Sequence, residues 1–175
     1  MFPVVRALER QGTPYLGFLY AGLMIKDGEP KVLDFNARMG DPEAQPLLFR
    51  MESDVVPLMT AALEGKLEGM PIKWAPEEAV CVVMASGGYP GQYTKGKPIT
   101  GIAEAEATEG VKVFHAGTAL GSDGFVTASG RVLGVTARAN GIAQAIRKAY
   151  EAADKIHWEN VHYRRDIGKR ALARV

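Results

Sequence analysis

An α+β fold is predicted by three features of the sequence. Residues 15–36 carry a β-hairpin pattern and run into helical sequence. From residue 79 onward, short apolar strands alternate with Gly/Ser turns. One amphipathic helix follows Asn140. Together these read as a hairpin with helices, then a small antiparallel sheet carrying a packed helix.

The elements follow in order. Val4–Arg10 has helical character. Tyr15–Ile25 is apolar and aromatic, as a buried strand is, and Lys26-Asp27-Gly28-Glu29-Pro30 has Asp-Gly at a turn tip. Lys31–Asn36 reads as the returning strand. Strict alternation puts Val32, Asp34 and Asn36 on one face and Leu33 and Phe35 on a packed face. Glu43–Met51 is a candidate helix. A second starts at Asp54, an N-cap with Pro57 in its first turn. Its stripe is Val55, Leu58, Met59, Ala62 and Leu63, and Gly65 ends it. Residues 65–78 lack periodicity and read as a linker between 1–64 and 79–175.

The second part opens with a continuous apolar strand, Ala79–Ala85, broken by Ser86–Gly91. Strands are predicted at Lys112–Thr118, Phe125–Ala128 and Arg131–Ala137, in a meander. Asn140 caps a helix whose stripe is Ile142, Ala145, Ile146, Ala149, Ala153 and Ile156. The tail, Val161–Arg174, is basic. Trp74 and Trp158 read as packing anchors.

Composition bounds the function. Hydrophobic residues make up 47% and charged residues 23% of the 175, the profile of a globular chain. The net charge of +1, from 21 Lys+Arg against 20 Asp+Glu, leaves no footprint for nucleic acid or an anionic membrane. No apolar run approaches the roughly 18 residues of a membrane span. Arg6, Glu9 and Arg10 interrupt any signal-peptide pattern. The single cysteine, Cys81, lies in an apolar run and reads as an inert buried thiol. A cytoplasmic protein is expected.

The densest chemistry is Asp34-Phe35-Asn36-Ala37-Arg38-Met39-Gly40-Asp41-Pro42-Glu43. Asp34 and Asn36 place two hard oxygen donors on one strand face, and Mg²⁺ in nucleotide sites is typically held by one or two protein oxygens with phosphate and water. Arg38 adds a planar cation suited to a carboxylate or phosphate. Asp and Asn also form turns at strand ends, so geometry alone leaves both readings open. Ser86–Gly91 can cradle a phosphate through backbone N–H groups or form a tight turn; no Lys-Ser/Thr follows it. His115 can contact a substrate or serve the strand. Arg165 and Asp166 can form a substrate wall or a surface pair. There is no Ser-His-Asp or Cys-His arrangement, and no nucleophile is assigned.

Asp34–Glu43 resembles the E-x-N-x-R-x-G-D-P-E signature of the glycinamide ribonucleotide synthetases, ATP-grasp ligases of purine biosynthesis. Further ordered segments are similar to that family: Gly17–Met24, Ser86–Gly91 with Tyr93 and Lys95-Gly96, Phe114–Thr118, Gly130–Leu133 and Arg165–Gly168. The likeness covers nearly the whole chain. It implies the end of an ATP-grasp core in 1–64 and a carboxyl-terminal lobe in 79–175.

The resemblance further implies a ligase that joins glycine to 5-phosphoribosylamine with cleavage of ATP, through a glycyl phosphate. Mg²⁺ or Mn²⁺ would be held by Asp34 and Asn36. Arg38, Gly40, Asp41, Glu43, His115, Gly117, Thr118 and Arg165 are the expected substrate contacts, and Gly87 and Gly88 the expected phosphate loop. Asp41 and Glu43 could instead cap the helix that follows. The amino-terminal lobe and most of the nucleotide-binding region would come from elsewhere, in cis or as a second chain, and no activity is expected of this chain alone. The family usually has Glu where Asp34 stands, one methylene longer, which puts metal affinity in question. Two alternatives stand beside this reading. One is another ATP-grasp ligase or carboxylase, which usually adds an acid on the preceding strand, absent from Leu19–Ile25. The other is a non-catalytic module that binds a partner chain and, alone, exposes apolar surface and self-associates.

Overall fold

The structure is a computed structural model and describes residues 1–173. Arg174, at the end of the basic tail, lies outside the described residues. Two compact units are present: Met1–Asp41 with Glu52–Lys73, and Pro42–Met51 with the chain from Trp74 onward.

The first unit begins with α1 (Phe2–Arg10), which has Pro in its first turn. Strands β1 (Tyr20–Lys26) and β2 (Glu29–Asn36) form an antiparallel hairpin. The strand expected from residue 15 starts at Tyr20 instead. Asp27 and Gly28 close the turn with φ of 52° and 83°, the positive values a two-residue hairpin turn needs. Strict alternation fails within β2. Gly22 pairs with Asp34 but Leu23 pairs with Val32, so Leu33 is bulged out. Because Gly22 and Leu23 face opposite ways, Val32 lies on the face opposite Asp34, not beside it. The face expected to pack is open as well: Leu33 is 65% and Phe35 40% exposed.

Helix α3 (Val55–Leu63) starts as its sequence dictates. Asp54 Oδ1 accepts the N–H of Val56 at 2.9 Å, and Gly65, at φ 68°, ends it. Leu58 and Ala61 are its buried residues, whereas Leu63 of the expected stripe is 73% exposed.

The second unit holds a three-stranded antiparallel sheet of β3 (Glu78–Ala85), β4 (Val111–His115) and β7 (Arg131–Ala139), in the order β3-β7-β4. The expected meander is therefore absent. The last strand inserts between the first two, and β5 (Thr118–Gly121) pairs with β6 (Gly124–Thr127) in a separate hairpin. Residues 96–99 run beside β6, with Gly96 N–H on Thr127 O and Ile99 N–H on Phe125 O. Two short helices complete the unit, α4 (Ile102–Glu106) and α6 (Lys169–Leu172).

The three-stranded sheet is covered on both faces. Val80, Val82 and Met84 of β3 enter the core with α5 (Ile142–Ala153), whose Ala145, Ala149, Ala152 and Ala153 are fully buried. Small side chains let this helix lie close to the sheet. Cys81 points to the other face. A Cβ on Gly134 would lie 3.2 Å from Cys81 Sγ and 3.6 Å from Gln45 of α2 (Ala44–Arg50). Helix α2, expected in the first unit, thus belongs to the second, packed on β3 and β7. Arg138 of β7 holds its C-terminal end, donating to Phe49 O at 3.3 Å with the guanidinium over the Phe49 ring. Covering both faces explains why β3 is apolar without alternation. The N-cap of α5 is Gly141, not Asn140; the Gly141 N–H donates to Glu78 Oε2 at 2.8 Å and holds that carboxyl below its usual range. Trp158 is buried, but Trp74 is 42% exposed and forms a backbone bridge with Met51. Among the described residues no helix is long and apolar enough to cross a membrane.

The outer edge of β4 is closed by a carboxylate. Residues 110 and 116 bond to β7, so the Val113 N–H points outward, where Glu106 Oε1 accepts it at 3.1 Å. Lys112 pairs with the same oxygen at 2.7 Å. Burial raises the Glu106 pKa, but Lys112 and the Val113 N–H outweigh it and hold the group below its ordinary 4.5. A depressed folded-state value means this contribution is complete above about 4.5 and is lost as pH falls through the folded value. In thermal melts between pH 7 and pH 3, the stability gap between wild type and Glu106→Gln should close at the acid end. A gap independent of pH would contradict the assignment.

Candidate functional site

The expected metal ligands stand at the end of β2. Asn36 Nδ2 donates to Asp34 Oδ2 at 3.1 Å, confirming that the two side chains share a face. Arg38 follows: Nη2 donates to Asn36 Oδ1 at 3.1 Å and Nη1 to Met39 O at 2.9 Å. A carboxylate, a carboxamide and a guanidinium therefore form one hydrogen-bonded row. Asp34 and Arg38 are exposed and Asn36 half-buried, so each can reach a ligand.

This donor set suits one side of a hard cation. Mg²⁺ or Mn²⁺ takes carboxylate and carboxamide oxygens, with phosphate and water completing the shell. Among the described residues no three or more His, Cys, Asp or Glu converge, so the row supplies part of a coordination set. Asn36 Oδ1 accepts one bond from Arg38, which leaves its second lone pair for a cation. Gly40 is buried, and Asp41 and Glu43 are exposed. Glu43 is the N-cap of α2, but its side chain makes no capping bond.

The remaining candidates lie in the second unit and are not all alike. His115 Nδ1 and Thr118 Oγ1 are 2.9 Å apart, and the exposed imidazole packs on Phe125 with ring centres 4.3 Å apart. That pair presents polar atoms to solvent. Gly117 is buried, and a Cβ there would overlap Ser129 and lie 2.5 Å from Arg131 O. Its lack of a side chain is explained by packing alone. A Cβ on Gly87 would likewise lie 2.5 Å from Asn160 O. In the 86–91 loop the Tyr89 and Gly91 N–H groups turn back to Ser86 O and Gly88 O, as in a tight turn.

Arg165 is already engaged. Its Nη1 pairs with Asp154 Oδ1 at 2.8 Å, and its guanidinium lies over the Tyr163 ring at 4.4 Å. Asp154 also accepts from the Tyr163 hydroxyl. Burial and then that bond push Tyr163 up to about 12. Asp166 pairs in two-point fashion with Arg164, at 2.9 and 2.7 Å, rather than with Arg165. These contacts, with Tyr150 donating to Arg164 O, tie the tail to α5.

Sequence reasoning did not single out Gly22, whose bare Cα lies under the Asp34 carboxylate. A glycine inside a strand is the feature that could have pointed to it.

The chain is similar to known proteins over almost its whole length. The family described as "Phosphoribosylglycinamide synthetase, C domain" matches residues 79–170, and "Phosphoribosylglycinamide synthetase, ATP-grasp (A) domain" matches residues 1–44. Phosphoribosylamine–glycine ligases of Vibrio vulnificus and Pseudomonas aeruginosa are 51% and 52% identical over 175 residues. Each alignment covers 99% of this chain, which spans only 41% of the length of either relative. The crystal structure of the Thermotoga maritima phosphoribosylamine–glycine ligase superposes with a TM-score of 0.78 at 38% identity, over 92% of this chain and 39% of that one. N5-carboxyaminoimidazole ribonucleotide synthetase of the same organism matches at a TM-score of 0.59 but 18% identity, a likeness of fold alone. With one domain description covering more than half of its residues and a second covering its first 44, the chain belongs to the phosphoribosylglycinamide synthetase family.

Proposed function

We propose that this chain is part of an ATP-dependent ligase that joins glycine to 5-phosphoribosylamine, giving glycinamide ribonucleotide, ADP and phosphate, in the cytoplasm. The observation that carries the reading is the Asp34–Asn36–Arg38 row, in a chain about half identical to ligases of that name. In this reading a glycine carboxylate oxygen attacks the γ-phosphorus of ATP and ADP leaves. The amine of the sugar phosphate then attacks the acyl carbon and phosphate leaves. Both steps need charge neutralised and partners aligned rather than a protein nucleophile.

Asp34 and Asn36 would hold Mg²⁺ or Mn²⁺, which shields phosphate charge when bound. Arg38 is placed to orient an anionic oxygen beside them. His115 and Thr118 are the second-unit groups best presented to a substrate. Gly40, Asp41 and Glu43 flank the row in sequence. Gly117, Gly87 and Arg165 are retained for the packing and pairing that occupy them. Leu23, Met24, Ile25 and Leu33 are 47–65% exposed on the hairpin, which supports a covering segment of the same protein or of a second chain.

The test replaces the matching region of the Vibrio vulnificus ligase with this chain and measures phosphate release. Release that requires ATP, glycine and phosphoribosylamine together is expected of the chimera, and none of the isolated chain. A soluble chimera that binds ATP but shows no glycine dependence would refute the proposal. Turnover by the isolated chain would refute the division of labour.

A further inference from the structure

We propose that Gly22 is a positioning residue for the metal row: its missing side chain is what lets the Asp34 carboxylate lie where it does. The inference rests on the reading of Asp34 as a metal ligand.

Gly22 and Asp34 are direct cross-strand partners, at the edge of the one register shift in the hairpin. Such bulges re-aim side chains. Here the carboxylate leans across the strand pair until Oδ1 occupies the space a Cβ of residue 22 would take; that Cβ would also lie 3.3 Å from Asp34 Cγ. Oδ2 meanwhile accepts from Asn36, which accepts from Arg38. The carboxylate is thus seated between bare backbone on one side and the Asn36–Arg38 row on the other.

Backbone conformation does not explain the glycine. Gly22 is not among the residues with positive φ, whereas Gly28 at the turn is. Any L-residue could adopt the backbone at 22. The space above its Cα is what a side chain would remove. Alanine at 22 would force Asp34 to rotate, pull Oδ2 from Asn36 and separate the two donors. The obstacle meets the far end of the Asp34 side chain, which relieves the overlap by rotating and so gives up its place beside Asn36. A side chain one methylene longer can carry its carboxylate past it.

The prediction is a loss specific to the shorter acid. Isotope-labelled chain is titrated with Mn²⁺ alone, and broadening of the backbone amide signals of residues 22, 34 and 36 reports binding. Gly22→Ala should weaken Mn²⁺ binding about tenfold or more, as loss of support around a metal ligand commonly does. In an Asp34→Glu background the same substitution should cost less than about threefold. Equal losses in both backgrounds would show general damage to the hairpin and overturn the inference. So would unchanged binding by Gly22→Ala, or no binding by Asp34→Glu. Asp34→Ala separates the two levels: broadening that survives it removes the metal reading itself, and the inference with it.

Discussion

Asp34→Ala in the chimeric ligase is expected to lower kcat/KM by at least about 100-fold, since even outer-shell partners of a bound metal commonly contribute about 10–100-fold. The reason lies in the row at the end of β2. Asp34 contributes its only full negative charge, and its Oδ2 also fixes the Asn36 carboxamide. Removing the carboxylate takes away one donor and releases the other, which can then turn wholly toward Arg38. Asn36→Ala should cost less, because it removes a neutral donor and leaves the anion. Steady-state rates across a Mg²⁺ titration check both. Partial recovery of the Asp34→Ala variant at high Mg²⁺ is expected; an unaltered Mg²⁺ dependence would remove Asp34 from the site.

The largest expected effect on stability is at Gly101. Its φ of 84° is left-handed, and a Cβ would collide with Lys155 O, 2.8 Å from Lys155 C and 3.1 Å from Ile156 Cα. All three are backbone atoms, so no side-chain rotation gives relief. The facing segments are also tied, with Thr100 N–H on His157 O at 2.9 Å and His157 N–H on Thr100 O at 3.1 Å. Ile156 is 1% exposed and anchors the segment in the core. Left-handed strain of about 1–2 kcal/mol and overpacking of about 1–3 kcal/mol act together in Gly101→Ala. A loss of about 3 kcal/mol lowers the melting temperature by more than about 10 °C in a unit of this size. Gly12→Ala is the control: its φ is 75° but nothing lies within 4 Å, so it carries only the conformational part. Equal melting shifts for the two would show that the close approach at Gly101 contributes nothing.

Local chemistry was legible wherever it is settled within a few residues. Asp27-Gly28 marked a hairpin turn, Asp54 a cap and Gly65 a helix end, and each acts on atoms at most two or three residues along the backbone. The alanine stripe of α5 showed its buried face by period alone. Asp34 and Asn36 shared a face because alternation holds across the single residue between them. It failed at Val32, two residues earlier, because bulging is decided by a pair of strands and not by either one. The pairing of Arg165 with Asp154 was equally out of reach, since the two stand eleven positions apart.

Element types, the order of motifs and the Asp34–Asn36 pair on one strand were thus properties of the linear chain, because side-chain period and turn chemistry are local. Three matters were left to tertiary structure. β7 inserts between β3 and β4, since a strand's neighbour depends on which edges the rest of the sheet leaves open. Helix α2 crosses to the second unit, where an apolar sheet face needs cover and Arg138 can hold its end. The seat of the Asp34 carboxylate is made by Gly22, a residue of no chemistry of its own. A ligand's identity is written in its own residue, but its position is set by what lies across the strand, and only folding brings that neighbour to it.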